Sequence, residues 1–113
     1  MTKEEKEKLR LGIYDIVKTI PRGRATSYGA IAKAAGYSNM SRLVGKMMGE
    51  CSEKNIPAYR VVNSQGVLSG REAFGDNERM QRLLEDEGIV VKNNRISNWK
   101  DIFWNPLEEI ILD

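Results

Sequence analysis

Ser27-Tyr28-Gly29-Ala30-Ile31-Ala32-Lys33-Ala34-Ala35-Gly36-Tyr37-Ser38-Asn39-Met40-Ser41-Arg42-Leu43-Val44-Gly45-Lys46-Met47-Met48 is the stretch whose periodicity decides the architecture. Ser27 can cap a short helix that turns Ile31, Ala32 and Ala35 to one face, and Gly36 supplies the left-handed residue that ends it. After the turn Tyr37-Ser38-Asn39, a second helix places Met40, Leu43, Val44, Met47 and Met48 at helical spacing, a stripe that faces a core. Its outward side carries Arg42 and Lys46 four residues apart, while Ser41 and Gly45 keep the neighbouring surface low. Two short helices joined by a tight turn, the second amphipathic with small and basic outer residues, form a helix-turn-helix candidate. Ordinary helical hairpins share this pattern, so the stretch alone leaves DNA binding open.

On the N-terminal side, Thr2 and Glu5 form a capping box. Leu9, Ile13, Ile16, Val17 and Ile20 then recur at helical spacing, predicting a first helix to about Thr19 that Pro21-Arg22-Gly23 ends. On the C-terminal side, Ala58-Tyr59-Arg60-Val61-Val62 reads as a strand, Asn63-Ser64-Gln65-Gly66 as a turn and Val67-Leu68-Ser69 as a returning strand. A hairpin placed after a helix-turn-helix suggests a wing. Gly70 to Gly75 reads as a loop containing Arg71 and Phe74, and Asp76 as the cap of a helix bearing Met80, Leu83 and Leu84 and ending at Gly88. Ile89-Val90-Val91 and Ile96, around the turn Lys92-Asn93-Asn94-Arg95, predict a small hairpin. The tail Trp99-Lys100-Asp101-Ile102-Phe103-Trp104-Asn105-Pro106 is aromatic enough to pack back on the domain. The expectation is one domain over residues 1–113, mostly α with small β elements, a winged helix-turn-helix with residues 89–113 packed on it as a hairpin and tail.

Composition narrows the chemistry. At 41% hydrophobic and 30% charged residues the chain is globular. No apolar run approaches the roughly 18 residues of a membrane span, and the N-terminus shows no signal-peptide core, so a cytoplasmic protein is expected, nucleoid-associated if bacterial. Histidine is absent, which removes Cys-His and Ser-His nucleophile pairs and every His-containing metal site. One cysteine, Cys51, cannot make an internal disulfide, a thiolate zinc site or an iron-sulfur cluster. No cofactor is expected. Between residues 16 and 49 stand six bases (Lys18, Arg22, Arg24, Lys33, Arg42, Lys46) and no acid, whereas from residue 61 onward acids outnumber bases ten to six. Such polarity is the footprint of a polyanion site, or of a solvated face without a partner.

Four segments in order resemble one family, the DNA-binding and active-site domain of the O6-alkylguanine-DNA alkyltransferases. Residues 20–32, Ile-Pro-Arg-Gly-Arg-Ala-Thr-Ser-Tyr-Gly-Ala-Ile-Ala, resemble its opening motif, and Ser41-Arg42-Leu43-Val44-Gly45 resembles its Ala-Arg-Ala-Val-Gly recognition helix. Ile56-Pro57-Ala58-Tyr59-Arg60-Val61-Val62 stands where the family has Ile-Pro-Cys-His-Arg-Val-Ile, and Leu83-Leu84-Glu85-Asp86-Glu87-Gly88 matches its closing helix. The resemblance covers about Leu9 to Gly88. Ala58 therefore occupies the place of the alkyl-accepting cysteine, and Tyr59 that of the histidine which activates it. Repair by displacement needs a thiolate; a methyl group cannot accept an alkyl group, and tyrosine, with a pKa of about 10, is a poor base near neutrality. Glu87 matches the glutamate at the end of the relay, where with nothing to activate it can equally pair with a nearby donor. Glu50 replaces the family's asparagine hinge.

Loss of the cysteine with retention of the DNA-reading parts resembles the alkyltransferase-like proteins, which bind O6-alkylguanine without repairing it. Residues 63–66 with Ser69-Gly70-Arg71 resemble their binding loop, and the Trp-rich end their C-terminal extension. The resemblance implies a protein that flips the damaged base out of duplex DNA. Arg42 would fill the vacated place as an arginine finger, its alternative being a phosphate contact. Tyr28 would turn the nucleotide outward, its alternative a core tyrosine. Thr26, Ser27, Ser41 and Lys46 would hold phosphates, with backbone amides at the two helix starts. The base would sit among Tyr28, Pro57, Ala58, Tyr59, Val67, Ser69 and Arg71, with Arg71 beside the O6 edge unless it is a surface arginine, and Ala58 would widen the pocket. Arg60 would brace that pocket. The partners implied are double-stranded DNA containing O6-alkylguanine and nucleotide excision repair proteins, with the chain a monomer. A sequence-specific winged-helix regulator, an alkyltransferase that uses Cys51 and a protein-interaction domain are the competing readings.

Overall fold

The computed structural model describes residues 1–74 and 78–109, except for the side chain of residue 73. Helix α1 (Lys3–Lys18) starts at the expected capping box: the Glu5 amide donates to the Thr2 hydroxyl oxygen, and the Thr2 amide to the Glu5 carboxylate. It buries Leu9, Ile13, Tyr14 and Val17. Strand β1 (Thr26–Ser27) leads directly into α2 (Tyr28–Ala34), and the Ser27 hydroxyl oxygen accepts from the Ala30 amide as the helix cap. Gly36, at φ +90°, closes α2 as expected, with the Gly36 amide bonded to Lys33 O and the Tyr37 amide to Ala32 O. Helix α3 (Ser41–Gly49) follows and buries Val44, Met47 and Met48.

The wing differs from the expected hairpin. Ala58–Arg60 forms a 3-10 turn, and only Val61–Val62 extends as β2, which pairs with β1 in parallel (Thr26 with Val61, Ser27 with Val62). A strand would send Tyr59 and Arg60 to opposite faces, whereas here both side chains bond Glu87, and only a coiled backbone permits that. The return through residues 67–69 is a single pair deep, the Asn63 amide donating to Val67 O. Beyond it the segment joins the C-terminal hairpin through a Val67–Arg95 bridge and a bond from the Leu68 amide to Asn94 O. Residues 71–74 are not loop but a second 3-10 turn (Arg71–Phe74). Helix α4 (Arg79–Glu85) comes next; the expected cap at Asp76 and the end of the expected loop at Gly75 lie outside the described residues.

Strands β3 (Val91–Lys92) and β4 (Arg95–Ile96) make the expected antiparallel hairpin, turned by Asn93 and Asn94 at φ +52° and +63°. After α5 (Trp99–Ile102), Phe103 lies parallel to Ala25, Trp104 is buried, and α6 (Pro106–Glu109) ends the described chain. The tail thus pairs with Ala25, just ahead of β1, and Arg24 holds it there through bonds to Ile102 O (2.9 Å) and Phe103 O (2.6 Å). No helix among the described residues is long and apolar enough to cross a membrane.

Two apolar clusters build the interior. One joins α1, α2 and α3 with Ile56, Ala58, Val61 and Trp104; the other joins Ala25, Val62, Leu68, Met80, Leu84, Ile89, Val91 and Ile96. Phe74 packs against both, so residues 58–74 run along the seam between them.

Candidate nucleic-acid interface

Three spaces adjoin one another along this seam. A surface groove of about 340 Å³ is lined by Tyr28 and Gly29 of α2, Ser41, Arg42 and Gly45 of α3, and Asn63 and Ser64 of the turn. Beneath it a cavity of about 30 Å³ lies among Tyr28, Gly45, Met48, Ala58, Gly70 and Phe74, with Gly49, Val61 and Met80 completing its wall. Beyond that, a cleft of about 370 Å³ opens along residues 51–54 and Ile56, with Ala58, Tyr59, Phe74, Arg79 and Leu83 opposite. Tyr28 and Gly45 border both groove and cavity, and Ala58 and Phe74 border both cavity and cleft. The path from helix surface to cleft is therefore walled by the same few residues throughout.

Tyr28 narrows this path at the cavity, where two glycines face its ring and hydroxyl. A Cβ added to Gly45 would lie 3.9 Å from the Tyr28 ring, and one added to Gly70 would lie 2.7 Å from its hydroxyl. Tyr28 is thereby wedged between α3 and the segment that follows residue 69. Burial raises its pKa against the opposing effect of a hydrogen bond with Ser69, so the hydroxyl keeps its proton. At about 30 Å³ the cavity has room for a water but not for a purine. Admitting a base requires Tyr28 and Gly70 to separate.

Behind the cavity stands a buried polar cluster. The Glu87 side chain is 1% exposed and accepts from the Tyr59 hydroxyl (2.5 Å), the Gly23 amide (2.8 Å) and Arg60 Nη2 (2.7 Å). Arg60 also donates to Ile20 O at 2.7 Å. Burial pushes the Glu87 carboxyl up, but Arg60, the Gly23 amide and the Tyr59 hydroxyl outweigh it, and the pKa falls below the ordinary value. Tyr59 moves the other way, raised by burial and by its bond to Glu87. Tyr59 is thus a donor locked onto a carboxylate, the opposite of a base. Arg60 sits in the bracing place expected of it, and Glu87 takes the donor-pairing role rather than the end of a relay.

The remaining site residues distribute unevenly. Arg42 and Ser41 are exposed at the groove, and Lys46 is exposed one turn along α3. Thr26 requires correction as a phosphate contact: it is 0% exposed in β1, with no hydrogen-bond partner for its hydroxyl among the described residues. Ser27 is 5% exposed, and its oxygen is engaged as the cap of α2. Pro57 lies half-buried behind Ala58, and Tyr59 faces the cleft, not the inner cavity. Val67 is drawn away to Arg95, Ser69 meets Tyr28 from the outside, and Arg71 begins its 3-10 turn half-buried, outside the lining of all three spaces. Their expected places are taken by Gly70, Phe74 and Met80. Gly70 and Phe74 belong to the loop expected to face the base, and Gly45 signalled itself through the low surface it leaves on the recognition helix, whereas Met80 read only as a residue of the following helix.

Two further expectations change in detail. Of the six bases between residues 16 and 49, Arg22 donates to Asp86 O, Arg24 pins the tail and Lys18 faces Asp15 at 3.9 Å. Of the six only Arg24 is half-buried; Lys33, Arg42 and Lys46 are exposed on α2 and α3. At the hinge, Glu50 lies 3.4 Å from Arg10 and so ties the end of α3 to α1, and Cys51 next to it lines the cleft with Ala58.

Residues 8–89 match the model of the 6-O-methylguanine DNA methyltransferase, DNA binding domain. Among curated proteins, a DNA base-flipping protein of Vibrio parahaemolyticus is 39% identical over 83% of this chain and 93% of its own. Alkyltransferase-like protein 1 of Schizosaccharomyces pombe is 32% identical over 83% and 92%. A crystal structure of the S. pombe protein Atl1, in complex with damaged DNA containing O6-carboxymethylguanine, superposes with a TM-score of 0.79 at 30% identity, over 87% of this chain and 95% of that one. On the family match over residues 8–89, these identities and the superposition, the chain belongs to the family of the 6-O-methylguanine DNA methyltransferase DNA-binding domain, and within it to the alkyltransferase-like proteins.

Proposed function

We propose that this protein binds O6-alkylguanine in duplex DNA by flipping the damaged nucleotide out of the stack, and that it does not remove the alkyl group. The observation that carries the reading is that groove, cavity and cleft lie side by side and share Tyr28, Gly45, Ala58 and Phe74 as wall residues. A base leaving the duplex beside Arg42 enters at Tyr28, and a substituent on its O6 edge extends past Ala58 toward the cleft. Extrusion costs about a few kcal/mol, least for a damaged base. Arg42 stands where its planar guanidinium can take the vacated place, while Ser41 and the exposed cations of α3 meet phosphates.

The chemistry for repair is missing at each step. Ala58 has no nucleophile, Tyr59 holds its proton against Glu87, and no histidine exists to activate Cys51. A protein that grips a lesion without mending it acts by presenting it, as a monomer, to nucleotide excision repair. The test is a titration of matched duplexes with guanine or O6-methylguanine at one position, at moderate salt. Clear preference for the lesion is expected, with no methyl label passing to the protein; equal affinities overturn lesion recognition, and label on Cys51 overturns the non-catalytic reading.

A further inference from the structure

Asn63 and Ser64 of the turn line the groove together with Arg42, and the orientation of this turn comes from elsewhere in the chain. Internally the turn is shaped by Asn63, whose side-chain oxygen accepts from the amides of Gln65 and Val67, both at 2.9 Å. Those bonds set its form, not where it stands. Its three successive carbonyls all point into the C-terminal segment: Ser64 O accepts from Trp99 Nε1 (3.0 Å), Gln65 O from Arg95 Nε (2.9 Å) and Gly66 O from the Ile96 amide (2.9 Å). The Trp99 ring also lies against Gly66, where an added Cβ would come within 3.0 Å of it, and the Phe103 ring packs on it tilted at 55° with centroids 5.3 Å apart. None of these supporting residues lines the groove.

We propose that Trp99 and Arg95 are positioning residues for duplex binding, holding the turn so that Asn63 and Ser64 form a second phosphate-facing wall of the groove that Arg42 lines. The physical reason is electrostatic as well as steric. A turn left to itself offers its carbonyl oxygens to any neighbour, and oxygens turned into the groove would repel a phosphate backbone. By engaging all three on its own side, the C-terminal segment leaves the groove with the Ser64 and Asn63 side chains and the Arg42 cation. The occupant is the sugar-phosphate backbone of a duplex, so the proposal rests on the DNA-binding reading above but not on lesion recognition.

The test measures affinities of undamaged and O6-methylguanine duplexes at several salt concentrations for Trp99→Ala, Trp99→Phe and Ser64→Asp, with fluorescence of buried Trp104 reporting the fold. Trp99→Ala is expected to weaken both duplexes by the same factor, about three- to tenfold, with the salt slope nearly unchanged because the wall carries no cation. Trp99→Phe keeps a ring beside Gly66 but removes the Nε1 donor to Ser64 O, and is expected to recover only part of the loss. Ser64→Asp, an exposed substitution that leaves the fold alone, is expected to weaken both duplexes through its charge. Wild-type affinity in Trp99→Ala and Ser64→Asp, or a loss confined to the lesion duplex, overturns the proposal. Equal wild-type affinities for the two duplexes would instead overturn lesion recognition, with the common loss on both still supporting this assignment.

Discussion

Replacing Glu87 by Ala separates a structural brace from the remnant of a relay. In the folded chain the carboxylate accepts from Tyr59, Arg60 and the Gly23 amide while its side chain is 1% exposed. Deleting it strands the Arg60 guanidinium, 14% exposed, with Ile20 O as its remaining acceptor, and leaves the Gly23 amide and Tyr59 hydroxyl without theirs. Removing one partner of a buried pair costs about 3–5 kcal/mol. Because Arg60 keeps one carbonyl and some access to water, the lower end, about 3 kcal/mol, applies. Against a total stability of about 5–15 kcal/mol this is a large fraction, and it lowers the melting temperature by about 12 °C or more. Glu87→Gln keeps the shape and one acceptor and should cost about half as much. The assay is urea unfolding followed by tryptophan fluorescence, with a double-mutant cycle against Arg60→Met to isolate the coupling. A loss below about 1 kcal/mol in Glu87→Ala, or additivity in the cycle, refutes the brace and returns Glu87 to the status of a relay remnant.

Three further predictions follow from single residues. Thr26→Val removes a buried hydroxyl that has no partner among the described residues, so stability should hold or rise by about 1 kcal/mol while duplex affinity stays constant; weaker binding would show that Thr26 meets DNA after all. Arg42→Ala should change stability by less than about 0.5 kcal/mol but weaken the lesion duplex by about tenfold or more, and Arg42→Lys should not recover it, because an ammonium lacks the planar fork; full binding in either variant removes the finger role. The depressed pKa of Glu87 sets the acid limb: its stabilisation is complete above the ordinary carboxylate value of about 4.3 and is lost as pH falls through the lower folded value. The pH dependence of unfolding in Glu87→Gln should therefore be flatter below about pH 4, and an unchanged acid limb would contradict the assignment.

What was legible in the residues alone was whatever nearest neighbours along the chain decide. The capping box at Thr2 and Glu5, the Ser27 cap and the left-handed Gly36 each involve groups within a few positions, so composition and spacing suffice to place α1, α2 and the turn into α3. The motif order and the loss of the cysteine at Ala58 were equally local. Strand propensity failed at residues 58–60 because it counts side-chain types and does not register that Tyr59 and Arg60 share one distant acceptor, Glu87. Thr26 was misassigned for a related reason: a hydroxyl beside a helix start is an apt phosphate donor until a parallel partner, β2, covers it.

By itself, then, the sequence determined a helix-turn-helix, a family and a pocket without a nucleophile, since these depend on residue identity and short-range periodicity. Only the tertiary structure decided that the pocket is closed by Tyr28 against Gly70, that Arg24 braces the tail instead of DNA, and that Glu87 is a brace. It also decided that the wing leans on Trp99 and Arg95. Each of these joins groups dozens of positions apart, and burial and hydrogen-bond partners at that range are set by how the two apolar clusters close on one another, which no local pattern encodes.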